Sequence, residues 1–101
     1  MNKAEKFNKD VIAIVSQHNP KVSDRCNTIE TQYGDLDITL HDPEPQSKVF
    51  SIFMKFKDVE KAKGHISGMN QYSGKWNIHQ FTPEGAIDDF KTRLKKVIPQ
   101  I

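Results

Sequence analysis

Val49-Phe50-Ser51-Ile52-Phe53-Met54-Lys55-Phe56-Lys57 is the stretch that decides the fold. Phe50, Ile52, Met54 and Phe56 recur at every second position, the period at which strand side chains share a face. Val49 and Phe53 make the other face partly apolar as well. That pattern predicts a central strand, covered by helices on one side and partly apolar on the other.

Working toward the N-terminus, Asp42-Pro43-Glu44-Pro45 breaks the alternation and reads as an exposed loop. Before it, Leu36, Ile38 and Leu40 alternate with Asp35, Asp37, Thr39 and His41, a second half-buried strand. Residues 26–33 supply a weaker partner. If Gly34-Asp35 is the turn, Tyr33 falls opposite Leu36, Thr31 opposite Ile38 and Ile29 opposite Leu40, all on one face. The chain opens on a helix whose Phe7, Val11, Ile14, Val15 and His18 recur three and four apart. Asn19-Pro20 ends it, since a residue before proline is pushed out of the helical region.

Toward the C-terminus, Asp58 caps a short helix expected to run through Lys63, and Gly64 stops it. A loop from His65 to Gly74 leads into a further strand, Lys75 to Phe81. There Trp76 and Ile78 share one face, and Lys75, Asn77 and His79 the other. Thr82-Pro83-Glu84 combines a cap, a proline at the first helical position and an acid at the positive end of the dipole. The last helix buries Ala86, Ile87, Phe90, Leu94, Val97 and Ile98 and stops at Pro99.

The expected fold is therefore α+β, in the order α-β-β-β-(short α)-β-α. It has a mostly antiparallel four-stranded sheet with the two terminal helices packed on one face. With 101 residues the chain is one domain, 1–101. Its single cysteine, Cys26, makes no internal disulfide. The N-terminal segment is charged and lacks an apolar core, and no apolar run reaches membrane length. These features predict a cytoplasmic protein with no membrane partner.

The net charge is +2, but it is unevenly spread. Residues 21–46 carry net −4, from Asp24, Glu30, Asp35, Asp37, Asp42 and Glu44 against Lys21 and Arg25. Residues 47–81 carry net +4, from Lys48, Lys55, Lys57, Lys61, Lys63 and Lys75 against Asp58 and Glu60. An acidic side and a basic side are expected.

No catalytic, metal or cofactor site emerges. The histidines His18, His41, His65 and His79 make no ligand-spaced pair, and no Cys-x2-Cys occurs. Gly68 and Gly74-Lys75 fail as a phosphate loop: five residues separate the glycines, Trp76 replaces the magnesium-binding hydroxyl, and a strand follows. Ser73, His79 and an aspartate compose a triad on paper only, without a strained nucleophile turn. The expectation is a protein that is not an enzyme and has no cofactor.

Two features suit recognition. Residues 70–77, Asn70-Gln71-Tyr72-Ser73-Gly74-Lys75-Trp76-Asn77, mix amides, a hydroxyl, an ammonium and two aromatic rings. The same stretch also fits a turn entering a strand, with Trp76 in the core and the amides bonded to loop backbone. The second feature is basic. Lys55, Lys57 and Phe53 project from one strand, and Lys75, Asn77 and His79 from another. If the strands are neighbours, they compose a cationic, partly aromatic sheet face, extended by Lys61 and Lys63. Lysines that hold phosphates beside rings that stack on bases make a single-stranded nucleic-acid platform.

The order helix, three strands, helix is similar to that of the double-stranded-RNA-binding domain. The lysine-rich helix start which that resemblance implies falls at Asp58 to Lys63. Asp58 and Glu60 dilute its charge there, Gly64 ends it early, and the strand with Trp76 is additional. Likeness of element order implies nothing about function. The sequence thus predicts a small non-catalytic binding module for nucleic acid or a nucleoprotein. The alternative is a protein-binding adaptor or inhibitor, such as a small protein of a phage or mobile element. That alternative acts through the acidic hairpin (Asp35, Asp37, Asp42, Glu44) or through Tyr72 and Trp76.

Overall fold

The computed structural model describes residues 3–18, 20–23, 26–40 and 48–98. In chain order the elements are α1 (Lys3–Ser16), β1 (Lys21–Ser23), β2 (Cys26–Thr31), β3 (Gly34–Thr39), β4 (Phe50–Phe56), α2 (Val59–Ala62), β5 (Ile78–Gln80) and α3 (Pro83–Val97). The strands form one antiparallel sheet in sequence order, β1-β2-β3-β4-β5. The α+β class and the two long helices on one face are as the periodicities predict. The expected loop at Asp42–Pro45, the stops at Asn19 and Pro99, and His41 lie outside the described residues.

The sheet has five strands, not four. The addition is β1, whose Lys21 pairs with Thr28 and Val22 with Asn27. Three residues with a single apolar side chain offer no alternation to detect; pairing with β2 holds them extended, not a buried face. Val22 accordingly stays 72% exposed.

The β2–β3 register also differs. The turn is Gln32-Tyr33, so Ile29 pairs with Leu36 instead of Leu40, and Asn27 with Ile38. Gly34 takes φ +94°, the left-handed region that a residue closing such a turn needs and that glycine adopts without strain. The Thr31 hydroxyl donates to the Gly34 carbonyl at 2.6 Å and accepts from the Tyr33 amide at 3.1 Å. The displacement is an even number of residues, so Ile29, Leu36 and Ile38 still share the covered face.

That face is the core. Phe50, Ile52, Met54 and Phe56 of β4 are all buried, with Ile78 beside them. α1 contributes Phe7, Val11 and Val15, and Phe7 meets Phe50 edge-on at 5.4 Å. α3 contributes Ala86, Phe90, Leu94 and Val97, and packs on β4, β5 and α1. Each of the larger side chains among these (Val, Leu, Ile, Met, Phe) stabilises the fold by about 1.5–3 kcal/mol when removed from water. The Val97 carbonyl accepts from the Gln32 amide at 2.8 Å, tying the end of α3 to the β2–β3 turn.

The caps form as their residue types dictate. Thr82 accepts from the Gly85 amide at 3.0 Å, and Asp58 from the Lys61 amide at 3.1 Å. β5 is shorter than expected. Lys75 still bridges to Lys55, but Asn77 breaks the ladder by accepting the Met54 amide on its side-chain oxygen at 3.2 Å.

Candidate functional site

Strand pairing assigns side chains to faces, because directly paired residues point the same way. Lys21, Thr28, Asp37, Lys55 and Lys75 therefore form one row across the face that the long helices leave open. The next row runs Cys26, Thr39 and Phe53, and Ser51 pairs with His79 beyond it. The acids and the lysines thus share one face instead of occupying opposite sides. Glu30, Asp35 and Asp37 stand on β2 and β3, and Lys55, Lys75 and His79 on β4, the approach to β5 and β5 itself. Lys57, just past the end of β4, meets Asp37 at 3.7 Å across the boundary. Asp37 also accepts from the Thr28 hydroxyl at 2.6 Å.

Lys55 and Lys75 are both exposed and directly opposed. Among the described residues neither has a carboxylate within ion-pair distance. Phe53 and His79 stand beside them, edge to face at 5.7 Å. The Ser51 hydroxyl and His79 Nδ1 are hydrogen-bonded at 2.8 Å, which fixes the imidazole on the open face. Among the described residues no carboxylate bonds the other nitrogen of that ring. The partner of His79 is Ser51, not the Ser73 that the sequence offers.

Residues 70–77 divide between scaffold and surface. The Asn70 side-chain oxygen accepts from the Tyr72 and Ser73 amides at 2.8 and 3.0 Å, and its backbone closes the turn onto Gly74 and Lys75. Gly74 sits at φ +79°, where a Cβ would lie 2.7 Å from the Phe56 carbonyl oxygen. Trp76 is only 4% exposed; it packs on Phe56 at 5.6 Å and donates its indole N–H to Ser67. Arg93 of α3 stacks 4.9 Å from the Trp76 ring, donates to the Trp76 and Asn77 carbonyls, and bonds Asp89 at 3.0 Å. With Trp76, Asn70 and Asn77 engaged in this scaffold, the turn holds out Gln71, Lys75 and Tyr72, the last 95% exposed.

Lys61 and Lys63 are exposed at the end of the sheet, where Lys61 passes beside Gly34. They lie off the Lys55–Lys75 row. Two contributors escape sequence reasoning: Ser51, a small polar residue in an apolar strand, and Phe81, 82% exposed just past β5. The alternation alone assigns Phe81 to a strand end without saying that nothing covers it.

A cleft of about 400 Å³ opens between α1 and α3. Its rim carries Asp10, Glu84 and Asp88, and Lys6 is paired with Asp10 at 3.3 Å, so the field there repels anions. Among the described residues no group of three His, Cys, Asp or Glu is placed to hold a metal. Among the described residues every buried side-chain polar atom has a partner. No described helix is long and apolar enough to cross a membrane. Comparison of the chain with protein-family models, curated proteins and solved structures finds no match.

Proposed function

We propose that the protein is a non-catalytic binding module for single-stranded nucleic acid, which it holds along β4, β5 and the 70–75 turn. The observation that carries this is the Lys55–Lys75 pair. Like charges directly opposite one another weaken a sheet; Asp37 stands across from Lys55 on its other side but pairs with Lys57, so neither lysine has a carboxylate within ion-pair distance among the described residues. A phosphate lying between them supplies the missing charge.

The neighbouring groups extend the fit. Phe53 and His79 flank the lysines, with Tyr72 and Phe81 exposed toward the two ends of the strip. Aromatic faces stack on unpaired bases whatever their sequence, while lysines follow the backbone as point charges. A duplex hides its base faces, so the strip favours single strands. The carboxylates on β2 and β3 confine the nucleic acid to the β4–β5 half.

Fluorescence anisotropy with labelled single- and double-stranded oligonucleotides of equal length tests this. Single strands are expected to bind at low salt, more tightly than duplex, and to release as salt rises. Equal affinity for the two forms, or no binding at about 50 mM salt, defeats it.

A further inference from the structure

Two like-charged cross-strand pairs stand on the open face, and they have opposite signs. Glu30 pairs with Asp35 across β2 and β3. Lys55 pairs with Lys75 across β4 and the approach to β5. No side chain of the four has an ion-pair partner among the described residues. Each pair is unfavourable within one chain. Between them runs the boundary marked by Asp37 and Lys57, 3.7 Å apart.

A face divided in this way is complementary to itself. A twofold axis along the strand direction, between β3 and β4, turns one copy over onto another. It lays β2 over the partner's β5 and β3 over the partner's β4. Position along the strands is kept, so Asp35 comes to face the partner's Lys57 and Asp37 the partner's Lys55, each twice, as an isologous interface requires, with Glu30 and Lys75 one row off beside them. Stacked sheets sit about 10 Å apart, a gap that facing Lys and Asp side chains span. From this charge complementarity we infer that the protein self-associates through its open sheet face, forming a weak, salt-sensitive dimer. The dimer hides Lys55 and Lys75. That it thereby competes with nucleic acid rests on the function proposed above; the self-pairing does not.

Sedimentation velocity of the wild-type chain, E30K/D35K and K55E/K75E at about 50 and about 200 mM salt tests the inference. Wild type is expected to show a reversible dimer at low salt and a monomer at high salt. Each variant has a face with one sign in excess on both halves and is expected to remain monomeric. An equimolar mixture of the two is expected to form a heterodimer, which also shows that both are folded. A wild-type chain that stays monomeric at low salt overturns the inference, as do variants that dimerise like wild type or a mixture that stays monomeric.

Oligonucleotide binding separates the two proposals. E30K/D35K keeps the lysine strip and is expected to bind single strands more tightly than wild type. A wild-type monomer that binds single strands overturns the dimer alone. A salt-sensitive dimer that binds none upholds the dimer and defeats the nucleic-acid proposal.

Discussion

Lys55 on β4 stands directly across from Lys75 on the open face of the sheet, and the two are bridged through their backbones. A pair placed there for folding alone would have opposite charges. Lys75→Glu creates such a pair and is expected to raise stability by about 0.2–1 kcal/mol, read by urea unfolding of dilute protein, while weakening single-strand binding. A variant that is destabilised, or that binds as tightly as wild type, contradicts the role given to this pair.

Tyr72 and Phe81 are 95% and 82% exposed, so neither ring supports the core. Tyr72→Ala and Phe81→Ala are expected to change folding stability by less than about 0.5 kcal/mol. Each is expected to cost about 1–3 kcal/mol in single-strand affinity, the worth of a ring stacked on a base. Loss of stability without loss of affinity would make them scaffold instead.

Arg93 performs three tasks with one guanidinium: it stacks on Trp76, donates to two carbonyls before β5 and pairs with Asp89. Lysine has no planar fork with which to do all three. Arg93→Lys is therefore expected to cost about 1–3 kcal/mol in urea unfolding, the scale of charged hydrogen bonds lost from a half-buried site. The near-ultraviolet dichroism of Trp76 is expected to weaken with it. A variant as stable as wild type contradicts this.

Gly74→Ala forces a left-handed backbone on alanine and sets its Cβ against the Phe56 carbonyl oxygen. The obstacle is backbone, which has little room to yield. The expected cost is about 1–3 kcal/mol by thermal or urea melting, together with weaker single-strand binding as the turn carrying Tyr72 and Lys75 shifts. An alanine variant with wild-type melting and affinity would show that the turn has slack.

The fold was legible wherever periodicity repeats over several residues. Phe50, Ile52, Met54 and Phe56 announce a half-covered strand, and Phe90, Leu94 and Val97 a buried helix face. Thr82 and Asp58 mark helix starts because their side chains bond nearby amides. β1 was not legible, since Lys21-Val22-Ser23 is extended only through β2. Nor was the hairpin register: two turns, one closing at Gly34 and one centred on Gly34-Asp35, place the same apolar residues inside.

The candidate site was readable in composition but not in arrangement. The sequence groups Trp76 and Asn70 with Tyr72 as equals. Packing assigns Trp76 to the core and Asn70 to the turn, leaving Tyr72 outside. Charge runs along the chain suggest opposite sides, but adjacent strands of one sheet bring Asp37 and Lys55 side by side. Only the pairing shows that Lys75 faces Lys55 and that His79 binds Ser51.

The salt dependence of single-strand affinity tests the central claim most directly. For single strands, log K falls with log salt by about 0.7 for each phosphate neutralised. Anisotropy titrations of wild type and K55Q/K75Q across a salt series are expected to give a slope shallower by about 1.4 in the variant, two contacts fewer. An unchanged slope, or a wild-type chain that fails to bind even at the lowest salt, contradicts the claim that these two lysines hold the phosphate backbone.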